Sequence, residues 1–564
     1  MSQFIPENFS IQKPEDVEVL FQLLLDRPIH SVVDFDQFLM DVSDLESFLS
    51  EDMAWRYINM TCDTQNEEHE NAYLQFVQEI QPKLAPFEDK LNNKIIDCPF
   101  KSEKESEQAY FIYFRSLQSA IDLFREENIP LQAELNTLAQ EYSAIQGAMT
   151  IQWNEETITM QKASNLLMET DRELREKAWK LMNERRQLDS QKLEDLFDKM
   201  VAKRHQVAVN AGFANFRDYM FSSLGRFDYT TEDCKKFHQS VEEHVVPLLK
   251  AIQNRRIELM QIDSLKPWDT AVDPLNREPL KPFNNGVDLL NKGIDALNEL
   301  DPFFSQCLTT MKEKSLLDLD SRLGKAPGGY NYPLAKTNMP FIFMNATGNL
   351  RDVETLVHEA GHAIHSFQMA PLKLNAFKNT PSEVAELASM SMELLSMDAW
   401  SHYLENPELL NRAKCEQLEG ILGTLPWIAT VDAFQHWIYE NPNHTQDERK
   451  AQWIIEQSRF SSGLVDYTNY PDARSYAWHK QLHIFEVPFY YIEYGFAQLG
   501  AIGVWKNFNE NKIEAIEKYK SFMKLGYTKP IHEIYEEAGV KFEFSSEYIK
   551  ELMDFVHNQW AQYN

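Results

Sequence analysis

Residues 354–365 read Glu354-Thr355-Leu356-Val357-His358-Glu359-Ala360-Gly361-His362-Ala363-Ile364-His365. The apolar positions recur at helical spacing, no proline intervenes, and Thr347-Gly348-Asn349 just upstream supplies a polar helix start. On such a helix His358 and His362 stand one turn apart on one face, so both imidazoles can hold a single tetrahedral Zn²⁺ while Glu359 faces the ion's open side. Chance writes His-Glu-x-x-His roughly 0.04 times in a chain of this length and composition. Gly361 costs a helix interior about 1 kcal/mol relative to Ala, which predicts close approach of another backbone. Glu354, one turn before His358, is placed either to accept a hydrogen bond from a zinc-bound imidazole or to stand in solvent.

A catalytic zinc takes three protein ligands and a water, so a third side chain is needed. No His stands at the longer spacing of the metzincins. The next helical stretch, Thr380-Pro381-Ser382-Glu383-Val384-Ala385-Glu386-Leu387-Ala388-Ser389-Met390-Ser391-Met392-Glu393, carries three carboxylates. Thr380, Pro381 and Glu383 fit a capping box, which assigns Glu383 to the helix start. Glu386 falls one turn deeper among Val384, Leu387 and Ala388, where an unpartnered carboxylate is costly to bury, and it is the expected third ligand. Glu393, two turns on, is placed to orient a zinc-bound His. His532-Glu533-Ile534-Tyr535-Glu536 offers Glu where a second His is required, and reads as a solvated helix.

Outward from these helices, Gly324, Gly328, Gly329 and Gly348 flank Tyr330-Asn331-Tyr332-Pro333 and Met339-Pro340-Phe341-Ile342-Phe343-Met344. Short apolar runs punctuated by Pro and Gly predict a small sheet over about 325–348, with the prolines on edge strands or bends. An edge strand can pair with an extended peptide. Zinc helices are expected over about 350–398. Residues 15 to about 260 show repeated helical patterns, and Pro267, Pro274, Pro279 and Pro282 mark an exposed connection between a region 1–265 and a region 266–564.

The whole chain has 564 residues, of which 43% are hydrophobic, and only 18 are Gly, which favours long helices over a turn-rich β fold. A formal charge of -32 disfavours nucleic-acid and membrane-surface partners. Five dispersed cysteines form no Cys-x-x-Cys pair and read as reduced thiols. The N-terminus lacks the basic and apolar pattern of a signal peptide, and no run of 18 apolar residues occurs, so the expected location is the cytoplasm.

The segment His358–His365, followed 28 residues after its first His by Glu386 in Ala385-Glu386-Leu387-Ala388-Ser389, resembles the thimet oligopeptidase family of zinc peptidases. Within that family the chain looks like the bacterial oligoendopeptidase F branch. Asp171-Arg172-Glu173-Leu174-Arg175, Ala211-Gly212-Phe213-Ala214-Asn215-Phe216-Arg217-Asp218-Tyr219, Pro267-Trp268-Asp269 and Gly328-Gly329-Tyr330 carry the likeness over nearly the whole chain from about residue 60. The resemblance implies a mostly α fold, two helical lobes enclosing a deep substrate channel, with region 1–265 as one wall and the small sheet beside the zinc helix. It also draws in His483, Tyr490, Tyr491 and Tyr494, which in the family bind substrate and stabilise the oxyanion; read alone, that aromatic stripe would be core.

Together these readings predict a zinc endopeptidase that cleaves internal bonds of short unstructured peptides, with one Zn²⁺ per chain. His358, His362 and Glu386 hold the ion, Glu359 is general base and acid, and the ion stabilises the oxyanion together with a hydroxyl from Tyr491 or Tyr494, or with His483. Gly328, Gly329, Tyr330 and Tyr490 bind substrate. The alternatives are a zinc carboxypeptidase or dipeptide-releasing enzyme, and a peptide-binding protein without catalysis; an intact Glu359 argues against the last.

Overall fold

Helices dominate the chain, as apolar residues at three- and four-residue steps and scarce glycine require. The computed structural model describes residues 4–6 and 8–564. At the start, α1 (Pro14–Asp26), α2 (Val32–Cys62), α3 (Gln81–Ile96) and α4 (Gln108–Leu123) enclose a core of their own around Val17, Phe35, Phe38, Ile80 and Ile95. Leu374 and Phe377, from the connection that follows the His-Glu-x-x-His helix, complete that core. A much larger core runs from Ala54 to Trp560 and crosses residue 265 without a break, so the regions on either side share buried surface. A hairpin of β1 (Thr150–Trp153) and β2 (Glu156–Thr159) interrupts the helices, turning at Asn154, whose φ of 55° a short amide side chain tolerates. Farther on lies α5 (Thr231–His244).

The proline-rich stretch after Ser264 is not simply exposed. Pro267, Trp268 and Asp269 are buried, because two arginines reach them. Asp269 accepts bonds from Arg172 Nη2 at 2.8 Å and Arg175 Nη2 at 3.1 Å, and the Trp268 carbonyl accepts one from Arg175 Nε at 3.0 Å. Arg175 and Asp269 are buried together, and a buried charge persists where its partner is fixed. The Asp-Arg-Glu-Leu-Arg and Pro-Trp-Asp segments thus form one ion cluster.

The sheet begins earlier than expected. Its strands are β3 (Leu317–Asp320), β4 (Tyr330–Leu334) and β5 (Met339–Ala346), in the order β3-β5-β4, with β3 parallel and β4 antiparallel to β5. Leu317-Asp318-Leu319-Asp320 is too short to declare itself in the sequence. Pro333 faces Pro340 across β4 and β5, a pairing possible only at a non-hydrogen-bonded position, since neither residue has an N–H. Pro333 accordingly lies on an outer strand, whereas Pro340 lies on the central one, ahead of the stretch from Ile342 that pairs with β3. The sheet is anchored on α2: Tyr330 Oη bonds Thr61 Oγ1 at 2.6 Å and its ring stacks on Phe343 at 4.8 Å.

Behind the sheet come α6 (Leu350–Met369), α7 (Ser382–Ser396), α8 (Pro407–Glu440), α9 (Tyr491–Glu510) and α10 (Ser546–Tyr563). Asn349 caps α6 reciprocally with Asp352: its side chain accepts from Asp352 N and its N–H donates to Asp352 Oδ2, both at 3.1 Å. Gly361 has the close neighbour its presence predicts. A Cβ there would lie 2.6 Å from Ser389 Cα and 2.8 Å from Ala388 O, so the absence of a side chain lets α6 and α7 meet backbone to backbone.

The start of α7 corrects the capping-box reading. Pro381 is itself the residue before the first helical position, with ψ of 150°, which leaves Thr380 one place too far out to cap, and no side chain caps this end. Glu383 instead turns inward, where it is 2% exposed and accepts a hydrogen bond from the Tyr229 hydroxyl. Burial raises its carboxyl and the nearby Arg226 guanidinium opposes that.

Candidate active site

Helices α6 and α7 supply the site, and the glycine contact sets their separation. His358 and His362, one turn apart on α6, meet Glu386 from α7: Glu386 Oε2 lies 3.4 Å from His358 Nε2 and 3.6 Å from His362 Nε2. One ligand atom from each of the three lies within 4.8 Å of the other two. Glu386 is fixed from both sides, by Ser389 Oγ donating to Oε2 at 3.0 Å and by the Tyr490 hydroxyl donating to Oε1 at 3.3 Å.

His358 is aimed by its other nitrogen. Nδ1 bonds Glu393 Oε1 at 2.7 Å, and Glu393 Oε2 accepts from Gln417 Nε2 of α8 at 2.8 Å. A relay from α8 through α7 to α6 therefore presents Nε2 to Glu386, the arrangement that fixes the tautomer of a metal-binding imidazole. Glu393 thus holds His358 by the nitrogen turned away from Glu386. Glu354 does not share that role: its Oε2 accepts from Arg351 Nη1 at 3.0 Å, and His358 Nδ1 is already taken. His365 is a core histidine, 2% exposed with its ring 6.0 Å from Phe522, and burial depresses it to about 4.

The electrostatics favour a divalent cation. Burial raises the Glu359 carboxyl to about 7, with the Glu386 and Glu393 charges adding to it and His358 opposing. Burial raises Glu386 as well. His358, which burial alone would depress, is lifted to about 9 by its bond to Glu393 and the charge of Glu386. His362 is held well below its ordinary value by burial and by the neighbouring His358. Glu359, Glu386 and Glu393 crowd one buried space with His358 between them, and two imidazole nitrogens with one carboxylate oxygen are the donor set that borderline divalent metals accept. The residues fit the ion.

Around the centre, β4 runs beside α6, where Asn331 Nδ2 donates to the Glu359 carbonyl at 3.3 Å. Gly328 and Gly329 lead into β4 exposed, Gly328 with φ of 101°, a backbone conformation in which glycine is at ease. The Tyr330 hydroxyl is committed to Thr61. His483 sits with its ring 4.6 Å from Tyr491, 5.8 Å from Tyr494 and 6.0 Å from Tyr490, and burial lowers it to about 4. Gln481 Nε2 holds its Nδ1 at 2.7 Å. The turn at Phe489, with φ of 69°, swings this aromatic group into place; Gln435 Oε1 accepts from Phe489 N at 2.9 Å and Arg226 Nη2 donates to Phe489 O at 2.5 Å. Ser389, Gln417, Gln435 and Gln481 could not be read from the sequence, since a single amide or hydroxyl has no spacing signal of its own.

Known proteins match the chain over most of its length. Residues 165–554 match Peptidase family M3 and residues 6–124 match the Peptidase M3 N-terminal domain. The chain is 23% identical over 308 residues to oligopeptidase PepF of Bacillus subtilis, a match covering 54% of this chain and 44% of that protein. It is 23% identical over 465 residues to an oligoendopeptidase F homolog of Borreliella burgdorferi, covering 79% and 75% respectively. The matched segments thus span less than half of the first relative and three quarters of the second. Among solved structures, a putative oligoendopeptidase F superimposes with a TM-score of 0.91 at 25% identity, over 100% of this chain and 99% of the other. PZ peptidase A, solved with an inhibitor, gives 0.92 at 27% identity over 98% and 99%. The two-lobed helical fold is shared with both, and the family match spans well over half of the residues. The chain belongs to peptidase family M3.

Proposed function

We propose that this protein is a zinc-dependent endopeptidase that hydrolyses internal bonds of short unstructured peptides in the cytoplasm. The observation that carries the reading is the convergence of His358, His362 and Glu386, with Glu359 on the same helix turn and Glu393 aiming His358. Bound there, zinc would polarise a scissile carbonyl and acidify a water. Glu359, in its buried setting, takes the proton of the attacking water and returns it to the departing amine. His483 and the hydroxyl of Tyr491 or Tyr494 donate to the developing oxyanion, while Tyr490 steadies Glu386 beside the substrate. The outer strand β4, entered through Gly328 and Gly329, offers its backbone to an extended peptide, which gives loose sequence preference. Among the described residues no helix is long and apolar enough to cross a membrane and no cysteine is paired, which supports the location.

The test is to map cuts in one unstructured peptide of about ten residues, with and without a chelator. Internal cuts that vanish on chelation and return with Zn²⁺ are expected. Stepwise loss from the C-terminus would make the protein a carboxypeptidase, and binding without cleavage would make it a peptide-binding module.

A further inference from the structure

A second cluster of metal-binding side chains lies away from α6 and α7. Cys234 and His238 stand one turn apart on α5, and Asp432 and His436 one turn apart on α8, so two helices each turn a pair of donors toward the other. The four are 0%, 3%, 0% and 5% exposed respectively. One ligand atom each from Cys234, Asp432 and His436 lies within 4.8 Å of the other two. His238 Nε2 bonds Asp432 Oδ2 at 2.8 Å.

Hydrogen bonding does not account for the cluster. Asp432 Oδ1 and both ring nitrogens of His436 are buried without a hydrogen-bond partner, although His436 Nε2 comes within 3.2 Å of Asp432 Oδ2. Even with that approach counted, Asp432 Oδ1 and His436 Nδ1 stay unpaired in a dry interior, which is costly and rare in native structures. The Cys234 thiol is equally idle, free and fully buried. A divalent cation removes the difficulty. A thiolate and a carboxylate neutralise it, an imidazole nitrogen adds a third ligand, and the sum is an uncharged group suited to burial.

We propose that Cys234, Asp432 and His436 form a three-ligand metal site, suited to Zn²⁺, that ties α5 to α8. His238 orients Asp432 through its bond to Oδ2, leaving Oδ1 for the ion, as carboxylate–histidine pairs do around metals. Mixed thiolate, imidazole and carboxylate donors select zinc over the hard cations. On binding, the Cys234 proton leaves for solvent and its sulfur lone pair goes to the ion, with no change of oxidation state. A surface pocket lined by Lys235, His238, Gln239, Glu242, Glu243 and Arg459 reaches His238, the residue that holds Asp432. The position has a consequence for the peptidase centre: His436 meets the Phe489 ring edge-on at 5.5 Å, and its neighbour Gln435 holds the Phe489 N–H, so the site braces the turn that places Tyr490, Tyr491 and Tyr494.

Cobalt distinguishes this site from the peptidase centre, because only this one contains a sulfur. The full chain, stripped with chelator and reloaded with Co²⁺, is expected to bind two ions and to show thiolate-to-cobalt charge-transfer absorption in the near ultraviolet. His362→Ala should lose one ion and keep that absorption. Cys234→Ser should lose the absorption and bind one ion. If Cys234→Ser fails to fold, the spectrum of His362→Ala still decides. One Co²⁺ in the wild-type chain with no charge-transfer band, or a band that survives Cys234→Ser, would overturn the assignment.

Discussion

Glu383 and Glu386 are one turn apart on α7 and both buried, yet they serve different ends. Glu383 belongs to a polar group with Tyr229 and Arg226 that packs the helix start, whereas Glu386 faces His358 and His362. Glu383→Gln should therefore retain stoichiometric metal while lowering stability by about 1–3 kcal/mol, the range for disturbing a buried hydrogen-bonded group. Glu386→Gln should lose most of the metal and nearly all activity, because a neutral amide is a poor ligand. Metal analysis and denaturant unfolding of the two variants check this, and the reverse pattern of metal loss would exchange their roles. Glu359→Gln keeps the size of the side chain and removes only its basicity. Metal content and peptide affinity should stay near wild type while turnover falls by about 10⁴, the upper end of what a positioned base supplies, since this residue also acts as the acid. Turnover within tenfold of wild type in steady-state assays would assign the proton to another group.

Between the helices, a single missing side chain sets the geometry of the site. Gly361 lets α6 reach the α7 backbone at Ala388 and Ser389, and Ser389 is also the residue that holds Glu386 Oε2. Any Cβ at position 361 must push α7 outward, and backbone cannot yield as a flexible side chain would. Gly361→Ala should gain about 1 kcal/mol in helix propensity and lose more than that to overpacking, for a net destabilisation of about 1–3 kcal/mol. The shift should also carry Glu386 away from the histidines. A lowered denaturation midpoint together with weakened metal binding is the expected pair of results; wild-type values for both would mean that the two helices can slide apart without cost. Nearby, the relay Gln417 to Glu393 to His358 shows why α8, which contributes no ligand, still determines how the ligands point.

For the whole molecule, access to the centre is the deciding property. The side chains of His358 and His362 are only 21% and 19% exposed, set between the sheet and α7 within a frame of helices. An extended peptide can thread such a space and pair with β4, whereas a folded domain presents no free strand. In a series of unstructured peptides of about 5 to 40 residues sharing one cleavable core, rates should peak among the short members and collapse for the long ones. A folded domain should survive. Equal rates on folded domains and short peptides, followed by mass spectrometry, would mean that the metal centre stands open to solvent.

The sequence alone determined whatever depends on local order along one helix: the His358 and His362 pair, Glu359 between them, the Asn349 helix start and the need for a close neighbour at Gly361. Each rests on a spacing that 3.6 residues per turn converts directly into a shared face. Glu386 was legible for a related reason, as a charge placed where only a partner could justify its burial. Tertiary structure decided the rest. Glu354 and Glu393 are both one or two turns from a site residue, and only the packing of Arg351 and Gln417 separates the one that orients His358 from the one that does not. Glu383 matched a cap pattern until Pro381 and Tyr229 turned it inward. The short strand β3, the buried Pro-Trp-Asp segment and the Cys234, Asp432 and His436 cluster depend on partners far apart in the chain, and no local period encodes a contact that two distant elements make only when folded.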